Sequence, residues 1–212
     1  MTRPGASLPS LFGRAIEQVS SAPEVDDGVF DAALAVLAER GTRAATMDDV
    51  AARSGVSRAT LFRRFGGKDA LFEAALARAL RGFLEEIGTT FLTVTDPVER
   101  IEAAFVACLR FRRRFIAGNS DPAHGATLVA MLSAGDPSPL ELGRRFIAAR
   151  IVAGQAEGVL PAADADIQAD AIIRLTLSYL VLPSAVYDLD DIEVARSVAR
   201  KAIAPLVTGI PG

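Results

Sequence analysis

Between Arg53 and Lys68 the chain carries Arg53, Arg58, Arg63, Arg64 and Lys68 and not one acidic side chain. A guanidinium is a planar fork of donors that matches phosphate oxygens and the paired acceptors of a guanine edge, so such a run suits a polyanion. The chain as a whole is not basic: its formal net charge is −3. Contact with nucleic acid must therefore come from this local patch. Other reactive side chains are scattered. Cys108 is the sole cysteine and His124 the sole histidine, and neither has the neighbours that a nucleophile, an acid–base pair or a metal site requires. No P-loop or dinucleotide-type glycine pattern is present. These features point away from an enzyme, and no metal and no cofactor is expected.

The basic run sits inside TMDDVAARSGVSRATLFRRFGGK, residues 46–68, which has the signals of two short helices joined by a tight turn. Thr46 can accept an orphan amide hydrogen bond, with Asp49 three residues on in the acidic variant of a capping box. Met47, Val50 and Ala51 fall on one face at helical spacing. Gly55 supplies the left-handed C-cap and Ser57 caps the next helix. In that helix Leu61 and Phe65 face inward with Val56, leaving Arg58, Ala59, Phe62 and Arg63 outward. A small, cationic and aromatic face of this kind fits a major groove. The plainer alternative is an amphipathic hairpin whose arginines only solvate an exposed face.

The elements around it read as helices throughout, so the expected class is all-α. Half of the 212 residues are hydrophobic, enough for a substantial core. One cysteine excludes an intrachain disulfide framework and fits a reducing compartment. No stretch resembles a signal peptide or reaches the ~20 apolar residues of a membrane span. A soluble, cytoplasmic protein with no membrane partner is expected. Residues 1–25, rich in Pro, Gly and Ser, read as a flexible arm in which Leu11–Val19 can form one short helix. A helix from Asp26 or Asp27 to Arg40 carries Val29, Phe30, Ala33, Leu34 and Leu37 and stops at Gly41. Past Gly66 and Gly67 a long helix runs from Lys68 or Asp69 to about Ile87, with Leu71, Phe72, Ala75, Leu76, Leu80 and Leu84 at core spacing.

Residues 29–76 resemble the DNA-binding domain of the TetR (tetracycline repressor) family of bacterial regulators. Gly41, Thr46, Val50, Ala51, Gly55, Val56, Ser57, Leu61, Phe62, Phe65, Lys68 and Leu71 carry the resemblance. It implies an N-terminal helix-turn-helix domain, here residues 26–72, followed by a helical ligand-binding and dimerisation domain, residues 73–212. It further implies a homodimer on a palindromic double-stranded operator, with Thr46 and Lys68 holding phosphates. Ser57, Arg58, Ala59, Thr60, Phe62 and Arg63 complete the expected DNA-binding set, with Arg58, Ala59, Thr60 and Arg63 reading bases. One departure stands out. Phe62 occupies the place where the family usually has a tyrosine that reaches a phosphate, and a phenyl ring has no donor. An apolar contact with a thymine methyl or deoxyribose is the expected replacement.

Beyond residue 87, Gly88, Thr89 and Thr90 weaken the helix, and Asp96–Pro97 restarts one with the stripe Val98, Ile101, Phe105, Cys108 and Phe115. Arg112 lies four residues after Cys108; either it meets an anion on the buried side, or it reaches solvent near a helix C-terminus, the simpler reading. A short helix is expected over Ala126–Ser133, another from Pro137 and Pro139 to about Gly154. Helices from Asp164 to about Leu182 and from about Leu189 to Val207 end the chain. The expected effector set is Phe105, Cys108, Arg112, Leu128, Met131, Phe146 and Tyr179, an apolar lining suited to a small hydrophobic or acyl-like molecule. The expected dimer set is Ile173, Leu177, Leu180, Val181, Ala195, Val198, Ala199 and Ala202. Together these readings suggest a transcriptional regulator, usually a repressor by family precedent. The alternative is a helical ligand-binding or interaction module that retains a degenerate DNA-binding domain.

Overall fold

The computed structural model describes residues 27–116, 129–130, 132–133, 136–182 and 184–209, and the described residues contain helices and no strand. The elements are α1 (Asp27–Ala44), α2 (Met47–Ser54), α3 (Arg58–Phe65), α4 (Lys68–Thr93), α5 (Pro97–Ile116), α6 (Pro139–Ala156), α7 (Ala165–Val181) and α8 (Ile192–Val198). A π-turn, Ala199–Ile203, and a last short helix α9 (Pro205–Thr208) follow α8. The expected arm and its helix Leu11–Val19 lie outside the described residues, as do His124, Leu128 and Met131. Of the short helix expected over Ala126–Ser133, residues 129, 130, 132 and 133 are described and helical.

The described chain forms two compact units. One runs to Leu84 and resumes at Phe111; the other comprises Glu85–Arg110 and the residues from Leu132. This division falls within α4 and α5, whereas the sequence reading ends the first domain at residue 72. The first core is built as the spacing predicts: Val29, Phe30, Ala33, Leu34 and Leu37 of α1 meet Met47 and Val50 of α2, Leu61 of α3 and Leu71, Phe72, Ala75 and Leu76 of α4. Phe65 seals its margin by an edge-on contact with Phe30, ring centroids 5.9 Å apart. Gly41 breaks α1 with φ 67° and ψ 172°, a conformation that a β-carbon would strain.

Two expectations about α4 change. Leu84 is half exposed rather than core. The helix also continues past Gly88 to Thr93, and along this last stretch the hydroxyls of Thr90 and Thr93 donate to the carbonyls of Glu86 and Thr89 one turn back. Such back-bonding gives each hydroxyl an acceptor within the helix, at a slight cost to the helix itself.

The second core joins Phe105, Val106 and Leu109 of α5 to Ile151 of α6, Ala169 and Ile172 of α7, and Ala195, Val198, Ala199, Ile203 and Val207 near the C-terminal end. Here three members of the expected dimer set are taken up by the chain itself. Ala195, Val198 and Ala199 are buried against the chain's own α5–α7 core, so they are not available to a twin subunit. Ile173, Leu177, Leu180, Val181 and Ala202 are half-buried. Leu180 packs at the core margin, and a β-carbon on Gly143 of α6 would lie 3.3 Å from the Ile173 side chain. The larger exposed apolar groups near the α6 and α7 ends are instead Val152, Val159, Ile167 and Leu182.

The α5 stripe is rotated relative to expectation. Its most buried members include Glu102, whose residue exposure is 0 %, while Ile101 and Cys108 are only half-buried. The side chain of Phe115 lies outside the described residues.

Candidate nucleic-acid interface

The α2–α3 unit has the caps its residues predict. Thr46 is the N-cap of α2: its Oγ1 accepts from the Asp49 amide at 3.2 Å and donates to Asp49 Oδ2 at 2.6 Å, while the Thr46 amide donates to that same oxygen at 3.0 Å. Gly55 ends α2 at φ 72° with its amide on the Ala51 carbonyl. Ser57 caps α3 by accepting from the Thr60 amide, and its hydroxyl donates to Thr60 Oγ1 at 3.0 Å. The hydroxyl protons of Thr46 and Ser57 are thus already committed. As the first amides of a helix, those of Met47 and Asp48 have no carbonyl a turn earlier to bond.

The Thr46 hydroxyl, ahead of the Thr46 amide and of Arg40 behind them, holds the Asp49 carboxyl below the usual aspartate range despite some opposing burial. A depressed folded value stabilises the protein above the unfolded value, near 3.9, and that contribution disappears as pH falls through the folded value. Asp49→Asn is therefore expected to flatten the acid end of the stability curve, and Thr46→Ala to cost about 1 kcal/mol near neutrality. Urea unfolding midpoints from pH 7 down to pH 3 check both. An acid limb unchanged by Asp49→Asn would contradict the capping account.

α3 presents its inner face through Leu61, 1 % exposed, and its outer face through Arg58, Ala59, Phe62, Arg63 and Arg64. Thr60 is half-buried between the two. Phe62 is 45 % exposed rather than folded onto the domain. The Arg58 guanidinium stands over its ring, 5.7 Å from the centroid, and reaches Asp48 Oδ2 on α2 at 3.0 Å. Arg58 is thereby braced from two sides, and sequence reasoning missed Asp48. Nothing periodic links residues ten apart on different helices. Each exposed contact is weak, roughly 0.2–1 kcal/mol, yet together they bias one orientation.

The other cations divide. Arg53 pairs with Glu39 of α1 at 2.7 Å, so one of the five basic groups is directed back onto the domain. Arg64 lies over Phe65, 6.0 Å from the ring centroid. Lys68 turns inward, donating to the carbonyls of Thr42 at 3.0 Å and Ala45 at 3.2 Å. Arg63 has no hydrogen bond or ion pair among the described residues and remains fully presented.

Residues 29–75 match the family profile described as bacterial regulatory proteins, tetR family. Over residues 29–75, then, the chain is similar to the tetR family. The TetR-family match agrees with the observed α1–α4 arrangement and its caps. The chain is 36% identical over 80 residues to the transcriptional activator FasR of Mycolicibacterium smegmatis, covering 38% of this chain and 36% of that protein. It is 31% identical over 83 residues to the transcriptional repressor KstR2 of Mycobacterium tuberculosis, covering 37% and 40%. These matches span less than half the length of either relative. The solved structure of the ketosteroid regulator KstR2 covers 89% of this chain and 98% of its own, with TM-score 0.56 and 20% identity. AibR, solved in complex with isovaleryl coenzyme A and operator DNA, covers 81% and 94%, with TM-score 0.53 and 15% identity. At those identities the structures establish a shared all-helical TetR-like fold.

The expected effector residues are only partly gathered. Phe105 and Tyr179 meet edge to face in the second unit, centroids 5.7 Å apart. Phe146 instead packs on Phe91, centroids 5.1 Å apart, with Arg150 over its ring. Cys108 is half-buried; burial, with the Glu86 carboxylate adding to it, pushes its thiol up to about 12. It stays protonated at neutral pH and behaves as a small apolar group. Arg112 falls in the first unit, half-buried, with its Nε buried and without a hydrogen-bond partner.

The sequence reading also missed a buried acid in the second unit. The Glu102 side chain is 1 % exposed, and its Oε1 accepts from Arg200 Nε at 2.6 Å. Arg196 Nη1 stands 3.8 Å from Oε2. The available signal was an acid at the helical spacing of Phe105 and Leu109, on a face that should be apolar. Among the described residues no group of three His, Cys, Asp or Glu side chains is placed to hold a metal.

Proposed function

We propose that this chain is a sequence-specific DNA-binding transcriptional regulator that acts as a homodimer on a palindromic operator and is released by a small hydrophobic or acyl-like effector. The observation that carries the reading is the outer face of α3. It exposes Arg58, Ala59, Phe62 and Arg63 with no acid, on a helix whose opposite face is locked into the core by Leu61. The match of residues 29–75 to the tetR family of bacterial regulatory proteins supports it. The aromatic pair Phe105–Tyr179 and the neutral Cys108 favour an apolar effector group, as does the isovaleryl coenzyme A bound by the structurally similar AibR. Effector release requires the ligand to favour one spacing of the two reading helices over another.

Selection of bound duplexes from a randomised pool tests the proposal directly. Two related half-sites about one or more helical turns apart should be enriched, with log affinity falling steeply against log salt. Salt-independent binding, or a strict monomer at micromolar concentration by light scattering, contradicts it.

Phe62 gives a sharper test. Substituting tyrosine supplies the missing donor while leaving the ring beneath Arg58, so Phe62→Tyr is expected to strengthen binding to all duplexes by about 0.5–1.5 kcal/mol. The ranking of sequences should not move. An altered ranking would place the residue at a base edge rather than beside the backbone.

A further inference from the structure

We infer that Lys68 is a positioning residue of the DNA-reading unit and not a ligand of the DNA backbone. The inference rests on the DNA-binding reading above and departs from the phosphate role that family resemblance gives this lysine. Lys68 is the first residue of α4, where a cation opposes the helix dipole. Its side chain nevertheless is half-buried and folds across the unit to the last turn of α1 and the link into α2. There the ammonium donates to two backbone carbonyls, Thr42 and Ala45, at 3.0 and 3.2 Å. Charge-assisted bonds of this kind are stronger than neutral ones, and they satisfy carbonyls that lie beyond the break at Gly41.

The choice of the Ala45 carbonyl has a consequence one bond away. Ala45 O and the Thr46 amide belong to one planar peptide unit. Lys68 holds its oxygen end, and Asp49 Oδ2 accepts from its N–H end at 3.0 Å. That plane is therefore fixed from both sides, and it is the entry to α2. Asp48, two residues on, braces Arg58 on the reading face. Lys68 thus ties α4, the last turn of α1 and the start of α2 into one body, and the α3 side chains are presented from that body. With two of its three protons directed at these carbonyls, the ammonium is turned into the domain.

The two roles make different demands on salt dependence. A lysine that neutralises a phosphate releases counterions, and its removal makes the slope of log affinity against log salt shallower by about 0.9. A lysine that only positions the reading unit leaves that slope intact and lowers affinity at every salt concentration. The test uses the full chain and a fluorescein-labelled duplex enriched from a random pool by the wild-type protein, titrated by anisotropy well below the thermal midpoint. Lys68→Met is expected to bind several-fold more weakly at all salt concentrations with the wild-type slope, and Lys68→Arg to restore most of the affinity. Lys68→Gln, which can still donate to one carbonyl, is expected to fall between them, and it serves where the methionine variant does not fold. A slope shallower by about 0.9 in Lys68→Met or Lys68→Gln would overturn the positioning role in favour of a phosphate contact. Unchanged affinity in the folded variants would overturn it in favour of stability alone. Failure of the wild-type chain to enrich any duplex would instead overturn the DNA-binding reading on which the inference rests.

Discussion

Replacing Arg63 with alanine is expected to weaken binding to a selected duplex by about 1–3 kcal/mol, roughly one to two orders of magnitude in Kd, and to relax base preference at one position of each half-site. Among the basic groups of the helix-turn-helix, Arg63 is the one the structure leaves uncommitted. Arg53 is paired with Glu39, Arg58 is braced by Asp48 and Phe62, and Lys68 is folded onto the Thr42 and Ala45 carbonyls. An arginine without an internal partner loses no protein contact when it forks onto a guanine edge. Arg63→Lys separates charge from geometry: it should keep the salt slope yet lose most of the discrimination, because an ammonium cannot match the paired acceptors. Arg64→Ala is the companion control, expected to lower affinity for all sequences alike. Competition titrations with the selected duplex and a scrambled one measure both quantities. Equal losses on the two duplexes for Arg63→Ala would remove it from the base-reading set.

What could be read from the sequence and what could not divides along the range of the interactions. The caps of α2 and α3 were legible because Thr46, Asp49, Gly55 and Ser57 act on backbone groups within three or four residues. The α1 stripe was legible because every member faces one core. Longer-range partners were not. Neither the Arg58–Asp48 contact nor the Lys68 carbonyl pair follows from spacing, since each joins different elements. The end of α4 lies more than a turn beyond the expected Ile87, because Gly88, Thr89 and Thr90 are weak helix formers whose cost is too small to stop a helix already propagating. Three members of the expected dimer set are buried within the chain for a different reason. Small residues at helical spacing, such as Ala195 and Ala199, look alike whether the surface they meet belongs to a twin or to the same chain. Here Phe105, Ile151 and Ile172 share the cluster that buries them.

The second large effect lies at the buried acid of α5. Arg200→Ala is expected to destabilise the protein by about 1–3 kcal/mol, because it removes the hydrogen-bond partner of a carboxylate that water cannot reach. The reverse change is not symmetrical. The Arg200 side chain is 62 % exposed and that of Arg196 44 %, so Glu102→Leu leaves two arginines that solvent can still hydrate. That variant removes the desolvation of a buried charge and adds apolar surface to the Phe105–Leu109 face. It is expected to be within about 1 kcal/mol of wild type, or more stable. Combining the two changes should cost little beyond Glu102→Leu alone, since no buried carboxylate is then left unpaired. Thermal and urea unfolding of the three variants measure the cycle. If Glu102→Leu were as damaging as Arg200→Ala, the acid would be a net stabilising link between α5 and the C-terminal helices. The Glu102–Arg200 bond would then hold the π-turn at Ala199–Ile203 in place, instead of being a local electrostatic compromise.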